Sequence, residues 1–154
     1  MPDPLVETWQ IHDRIHAYLL DAIAAPGLAA VGPTKGRSVG QAFAHIHNVR
    51  LMWLQAAGAA LPAGVAKLDS DTPHSAAALK QALAGSGKAI ARLLESSLAS
   101  GGRIKGFKPH VHAFVGYLIA HESHHRGQVA IALKAGGVPL DRKTAYGLWE
   151  WGVR

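Results

Sequence analysis

One stretch of the chain, from Val111 to Ala132, limits the possible folds more than any other. Apolar side chains recur there three and four residues apart, which is the spacing of a helix buried along one face. The same face carries His121, His125 and Gln128 where leucine would be expected. An unpartnered polar group in a core costs about 1 to 3 kcal/mol, so these side chains need partners. The stretch therefore predicts a core helix of a bundle that also carries a polar site.

His121 and His125 stand one helical turn apart. Positions four apart are separated by about 40° around a helix, so both rings can reach a single ion. With 10 His in 154 residues, such pairs also arise by chance, and His12 and His16 form a second one. The position of His121 and His125 on an apolar face favours metal ligands over satisfied core histidines.

A third ligand has to come from another helix, because one helix offers only two. His45 and His47 lie about 200° apart on the second predicted helix, so at most one of them faces a given centre. His45 shares its side with Ala42, Val49 and Met52 and is the favoured ligand. His47 is interpreted as a surface or interface histidine.

Capping residues, prolines and glycines divide the chain into four long helices and a short one. The predicted helices run from Asp3-Pro4 to about Ala25, from Ser38 to about Ala57, from Thr72-Pro73 to Gly101-Gly102, and from Pro109 to Gly136-Gly137, with the short helix over residues 142–151. No convincing strand run or internal repeat is found. Residues 1–154 are therefore predicted to form one all-α four-helix bundle domain with a short C-terminal helix.

Charge and composition limit the kinds of partner and of metal ligand that the chain can have. The formal net charge of +6 would suit an anionic partner, but the basic residues are scattered and no nucleic-acid motif accompanies them, so we expect no nucleic acid. No apolar run approaches the roughly 20 residues that span a bilayer, and the start lacks a signal peptide's basic residues, so we expect a cytoplasmic protein without a membrane partner.

The chain has no cysteine, so His, Asp or Glu must hold any metal.

Two segments resemble a known family. Ser38 to Leu54, with Ala44-His45-Ile46 at their centre, and His121-Glu122-Ser123-His124-His125-Arg126-Gly127-Gln128 are similar to the two signature segments of the DinB/YfiT superfamily of metal-dependent four-helix bundles. The resemblance covers nearly the whole chain. It implies a divalent ion, zinc or nickel, held by His45, His121 and His125 with water completing an open site.

The resemblance also implies a chemistry. Characterised relatives are thiol-dependent transferases or isomerases in which the metal activates the sulfur of bacillithiol, mycothiol or glutathione. The expected substrates are therefore a small-molecule thiol and an electrophile. Relatives commonly dimerise, and Trp149 and Trp151 in the short tail favour a homodimer here as well.

Two alternatives remain open. The first is a metal-stabilised binding or stress-response module without catalysis. The second is a zinc hydrolase, because His121-Glu122-x-x-His125 has the protease spacing in which Glu122 would be the general base and Glu150 could supply a further ligand. Against the hydrolase, Gln128 stands where the extended motif needs glycine, and no edge strand is predicted to hold a peptide.

Four further residues are predicted to contact the ligands or the substrate. Tyr117 lies one turn before His121 and could hydrogen-bond a metal-bound ligand, with ordinary packing as the alternative. Gln128 lies on the same face as the two ligands. His12 and His16 are predicted to line the bundle opposite the ion, with surface or core packing as the alternative. No residue is assigned as catalytic.

Overall fold

Four long helices form the body of the protein, and a computed structural model describes them together with the rest of residues 1–154. They are α1 (Pro4–Asp21), α2 (Val39–Ala56), α3 (Ala76–Ala99) and α4 (Val111–Ala135). α1 packs mainly against α3, and α2 packs against both α3 and α4. The predicted all-α four-helix bundle is confirmed. None of the helices combines the length and the apolar character that a membrane crossing needs.

The first two helices begin where their capping residues predict. Asp3 Oδ1 accepts a hydrogen bond from the Leu5 amide at 2.8 Å. At the start of α2 the Gln41 amide donates to Ser38 Oγ at 3.2 Å, and the Ser38 amide donates to Gln41 Oε1 at 2.8 Å. This reciprocal pair satisfies two amides at the helix start. It also fixes where α2 begins, and therefore which of its side chains face the bundle.

Three boundaries differ from the prediction. α1 ends at Asp21 rather than near Ala25, and a 3-10 helix over Ala25–Ala29 follows. α3 begins at Ala76, where the Ser75 hydroxyl caps the Ala78 amide at 3.1 Å, because the preceding Thr72-Pro73 stays outside the helix. A short helix does follow the bundle, as α5 (Arg142–Gly147), and residues 151–153 form a 3-10 turn.

The prediction that the chain has no strands is wrong in one place. β1 (Arg103–Ile104) and β2 (Phe107–His110) form a small antiparallel hairpin between α3 and α4. Gly106 at its turn has a φ of +87°, a conformation that suits glycine. Pro109 therefore lies in β2, and α4 starts at Val111 with the His110 ring as its cap.

The apolar core is divided into two clusters of buried side chains. One contains Trp9, Leu54 and Phe114, and the other contains Phe43 and Leu133. On each helix the residues between these clusters include buried polar side chains, which are His12, His16, His47, Arg50, Ser86 and Glu122. We call this set the polar layer. It crosses the middle of the bundle, and it borders the predicted metal ligands because Glu122 directly follows His121.

Candidate metal centre

The three histidines predicted as ligands lie together where α2 contacts α4. His45 comes from α2, and His121 and His125 come from consecutive turns of α4, with one nitrogen of each ring within 4.8 Å of the others. His121 Nε2 and His125 Nε2 are 3.1 Å apart. The ring centroid of His45 lies 4.6 Å from that of His125 and 5.4 Å from that of His121. We call these three residues the open histidine cluster.

The donor atoms of the open histidine cluster fit a divalent ion. Two nitrogens bound to one tetrahedral ion at 2.0 to 2.1 Å stand about 3.3 Å apart. The observed separation of His121 Nε2 and His125 Nε2 is 3.1 Å. His125 Nδ1 donates to Gln128 Oε1 at 2.9 Å, which leaves the Nε2 lone pair of His125 free to coordinate. His121 Nδ1 is buried without a hydrogen-bond partner, and no carboxylate pairs with any of the three rings.

Electrostatics keep the three rings neutral at neutral pH. Burial, followed by the Arg37 guanidinium and the two neighbouring imidazoles, lowers the pKa of His45 to about 4. Burial is also the main cause that lowers the pKa of His121 and of His125, and Arg37 acts on both in the same direction. An imidazole must be deprotonated at the nitrogen that binds a metal, so these shifts favour coordination.

Two cavities flank the open histidine cluster. A cavity of about 870 Å³ is bordered by His45 and by Arg37, and a second cavity of about 420 Å³ is bordered by Gln128 and again by Arg37. Tyr117 stacks on His121, with ring centroids 6.2 Å apart and ring planes 13° apart, and its side chain is partly exposed. Gln128 is exposed rather than buried on the core face, although it does contact His125. A small molecule can therefore approach the rings from solvent.

A second group with metal-ligand chemistry lies on the other side of α4. His12, His16 and Glu122 are all buried, and their donor atoms lie within 4.8 Å of one another, which is close enough to share an ion. His12 Nε2 donates to Glu122 Oε2 at 2.8 Å, and His16 Nε2 donates to the same oxygen at 2.7 Å. We call these three residues the closed histidine cluster.

A guanidinium already supplies positive charge to the closed histidine cluster. Arg50 Nε donates to Glu122 Oε1 at 2.7 Å, and Arg50 Nη2 donates to Glu122 Oε2 at 2.8 Å. Arg50 Nη1 also donates to Asp13 Oδ1 at 2.8 Å. Burial alone would raise the pKa of Glu122, but Arg50, together with hydrogen bonds from both histidines, holds that pKa well below its usual range. The carboxylate is therefore ionised and fully paired.

This pairing removes Glu122 from the role that the hydrolase alternative requires. A general base has to accept a proton from water beside the ion, and both Glu122 oxygens already accept hydrogen bonds from Arg50. The carboxylate also faces the interior of the bundle, since its side chain is about 1% exposed. The two histidines and the glutamate of this His-Glu-x-x-His segment thus belong to two different clusters on two faces of one helix.

Comparison with known proteins agrees with this architecture. The DinB family matches residues 1–150 of the sequence. The chain belongs to the DinB family. A crystal structure of a DinB-like protein from Bacillus cereus ATCC 10987 has a similar fold, with a TM-score of 0.68 and 21% sequence identity over 89% of this chain and 93% of that chain. No curated protein matches this DinB-family chain.

One histidine of this DinB-family protein differs from its expected surroundings, and two others follow the core-packing alternative. His47 was expected at the surface or an interface, but it is buried; its Nε2 donates to the Ala66 carbonyl at 2.8 Å and its Nδ1 lies 3.0 Å from Ser86 Oγ. His16 is fully buried, and burial lowers its pKa to about 3 despite the hydrogen bond to Glu122. His12 and His16 contact Glu122 rather than the open histidine cluster.

Arg50 is a fully buried charged side chain that no motif in the sequence singles out. Its position carries a signal, because Phe43, His47, Arg50 and Leu54 alternate four and three residues apart and all are buried. That spacing predicts the core face of α2 with a charged residue on it. A buried arginine needs an anionic partner, so the pattern also calls for a carboxylate on a facing helix.

Proposed function

We propose that this DinB-family protein binds one divalent ion, zinc or nickel, through His45, His121 and His125. The observation that carries the proposal is the convergence of three neutral imidazoles that lack an anionic partner within the protein. Zinc and nickel suit imidazole ligands, and three protein ligands leave one position open to solvent. The closed histidine cluster is the weaker candidate, because Arg50 already neutralises its only carboxylate.

We propose further that the protein is a thiol S-transferase. A bound divalent ion lowers the pKa of a coordinated thiol, so that the sulfur is a thiolate near neutral pH. Because the chain has no cysteine, the sulfur must belong to a low-molecular-weight co-substrate. The sulfur forms a bond to the carbon of an electrophile, the bond from that carbon to its leaving group breaks with both electrons on the leaving group, and the thiol proton passes to solvent.

The neighbouring side chains support this role by position. Gln128 holds the His125 ring through Nδ1, which keeps Nε2 directed at the ion. Tyr117 covers one face of His121 and is partly exposed, so that a bound electrophile would meet its ring. The cavity of about 870 Å³ beside His45 is large enough for a small thiol and an electrophile together.

Turnover of a test pair would examine this activity directly. Purified protein is stripped with a chelator, reloaded with zinc or nickel, and incubated with glutathione and 1-chloro-2,4-dinitrobenzene, while loss of free thiol is followed. We expect turnover by the loaded protein and only the uncatalysed rate from the stripped protein and from loaded His121→Ala. Equal rates from stripped and loaded protein would contradict thiol activation by the ion.

A metal-stabilised binding module without catalysis is the second candidate. One observation favours it: the open histidine cluster joins α2 to α4, so an ion would cross-link two helices of the bundle. In that case the ion would raise the melting temperature without supporting turnover with any thiol tested. Measuring the melting temperature and the turnover on the same loaded sample separates the two candidates.

We also propose that the protein forms a homodimer through its C-terminal segment. Trp149 is 81% exposed and Tyr146 is 60% exposed, which is unusual for large aromatic side chains outside an interface. Sedimentation equilibrium at micromolar concentration should show twice the chain mass, and Trp149→Ser should shift it to the monomer. A single 16.2 kDa species for the unmodified chain would contradict the dimer.

A further inference from the structure

The two cavities beside the open histidine cluster carry cations and no carboxylate. Arg37 and Lys67 line the larger cavity, and Arg37 and Lys35 line the smaller one. Neither lining includes an aspartate or a glutamate. Asp69 and Asp71, the carboxylates nearest to Lys67 in the sequence, line neither of them. Both cavities therefore have a positive electrostatic potential, and an ion on the histidines would increase it.

The side chains of these cations are free to bind a ligand. The ion pairs of lysine and arginine in the structure involve Arg50, Lys80 and Arg154 alone. Arg37 and Lys67 are both exposed. A cation at the rim of a cavity that has no protein counter-charge can pair with an anionic group of a bound molecule.

Arg37 is the cation best placed to act beside the ion. It is the residue shared by the two cavities, which meet the open histidine cluster at His45 and at Gln128. His45 and Arg37 both border the larger cavity, so the ring and the guanidinium face the same space. A molecule with its sulfur at the ion and the rest of its length in that cavity would therefore meet the guanidinium at the cavity wall.

We propose that Arg37, assisted by Lys67, binds a carboxylate of the thiol co-substrate, so that the protein selects anionic thiols over neutral ones. This inference rests on the proposed function, because it assigns the thiol to the open histidine cluster. Arg37 is then a specificity-determining residue, and its planar guanidinium suits a carboxylate because it can donate two parallel hydrogen bonds.

Binding of two small thiols to the cobalt-loaded protein tests the inference without relying on activity. Cobalt serves as a coloured replacement for the native ion, and sulfur coordination gives a charge-transfer band that reports binding. The probes are 3-mercaptopropionate, which carries a carboxylate, and 2-mercaptoethanol, which does not. We expect 3-mercaptopropionate to bind about two- to fivefold more tightly, because a charge pair at an exposed position is screened by solvent and contributes about that much. Added salt should weaken that preference.

Charge-matched variants identify the residue responsible. Arg37→Gln should reduce the preference to near parity, and Arg37→Lys should keep part of it. Arg92→Gln is the control, since it removes an equal charge from an exposed position on α3 that lines neither cavity. It should leave the preference unchanged.

The possible results separate the inference from the proposed function. Absence of a sulfur-to-cobalt band with either thiol would overturn the proposed function, and the inference with it. Equal affinity of the unmodified protein for the two thiols would overturn the inference and leave thiol coordination standing. A preference that survives in Arg37→Gln would also overturn it, because the carboxylate would then be bound elsewhere or by the ion itself.

Discussion

The open and closed histidine clusters lie on two faces of α4. Both are built from imidazole rings, but only the closed cluster pairs its rings with a carboxylate. In the closed histidine cluster His12 and His16 donate to Glu122, whose charge is balanced by Arg50. In the open cluster three imidazoles meet without a carboxylate. The first arrangement satisfies its own charges, whereas the second leaves ring nitrogens that could bind an ion from outside the chain. The hydrogen-bond and charge partners of a histidine pair therefore indicate its role better than the spacing of the pair in the sequence does.

The largest expected effect comes from breaking the closed histidine cluster. Arg50→Met leaves the buried Glu122 carboxylate without a counter-charge, and removing one partner of a buried ion pair costs about 3 to 5 kcal/mol. Urea denaturation of the metal-free protein should show that loss in the free energy of unfolding. The double variant Arg50→Met, Glu122→Gln should recover much of it. If Arg50→Met alone were as stable as the unmodified protein, Arg50 would not be needed to compensate the buried charge of Glu122.

Acid should destabilise the protein through the closed histidine cluster. The pKa of His12 is lowered in the folded state and that of His16 falls to about 3, so the unfolded chain binds these protons first as the pH falls. Their contribution to stability is fully present above about pH 6.5 and is lost below it, at about 1.4 kcal/mol per pH unit for each fully shifted histidine. Urea denaturation between pH 7.5 and 5 should show this fall.

The variant His16→Gln tests the assignment of that pH dependence. It removes one of the two groups, so the unfolding free energy should depend less steeply on pH, by about one proton, between pH 6 and 5. Circular dichroism at pH 7.5 checks that the variant is folded. An unchanged slope in folded His16→Gln would show that other groups cause the acid effect.

A smaller effect is expected at the edge of the open histidine cluster. Gln128→Ala removes the hydrogen bond that orients the His125 ring, and loss of such a contact typically weakens metal binding by about 10- to 100-fold. Competition with a chromophoric zinc chelator measures that affinity. Because Gln128 is exposed, the unfolding free energy of the metal-free protein should hardly change. Unaltered zinc affinity would mean that Gln128 does not position the ligand.

Sequence patterns predicted the bundle well because its helix starts have strong local signals. Asp3 and Ser38 cap α1 and α2 as expected. Thr72-Pro73 offers a similar signal, but Ser75 caps α3 instead, and neighbouring candidate caps of this kind leave a helix start uncertain by a few residues. The hairpin at residues 103–110 was missed because its strands are too short to show alternation.

The two clusters differ in how far the sequence predicts them. Helical phase favours His45 over His47 as the partner of the α4 histidines, and the structure brings His45 to His121 and His125. The partnership of Arg50 with Glu122 was missed, because charged residues are ordinarily expected at the surface. Pairing between distant helices depends on the tertiary fold, and a single sequence does not specify which charges meet.

Metal binding by single-histidine variants tests the central claim most directly, namely that the ion is bound by the open cluster and not by the closed one. Equilibrium dialysis against zinc, followed by elemental analysis, gives the content per chain. We expect about one zinc for the unmodified protein, retention in His16→Gln and His47→Ala, and more than about 100-fold weaker binding in His45→Ala. Retention by His45→Ala together with loss in folded His16→Gln would contradict it.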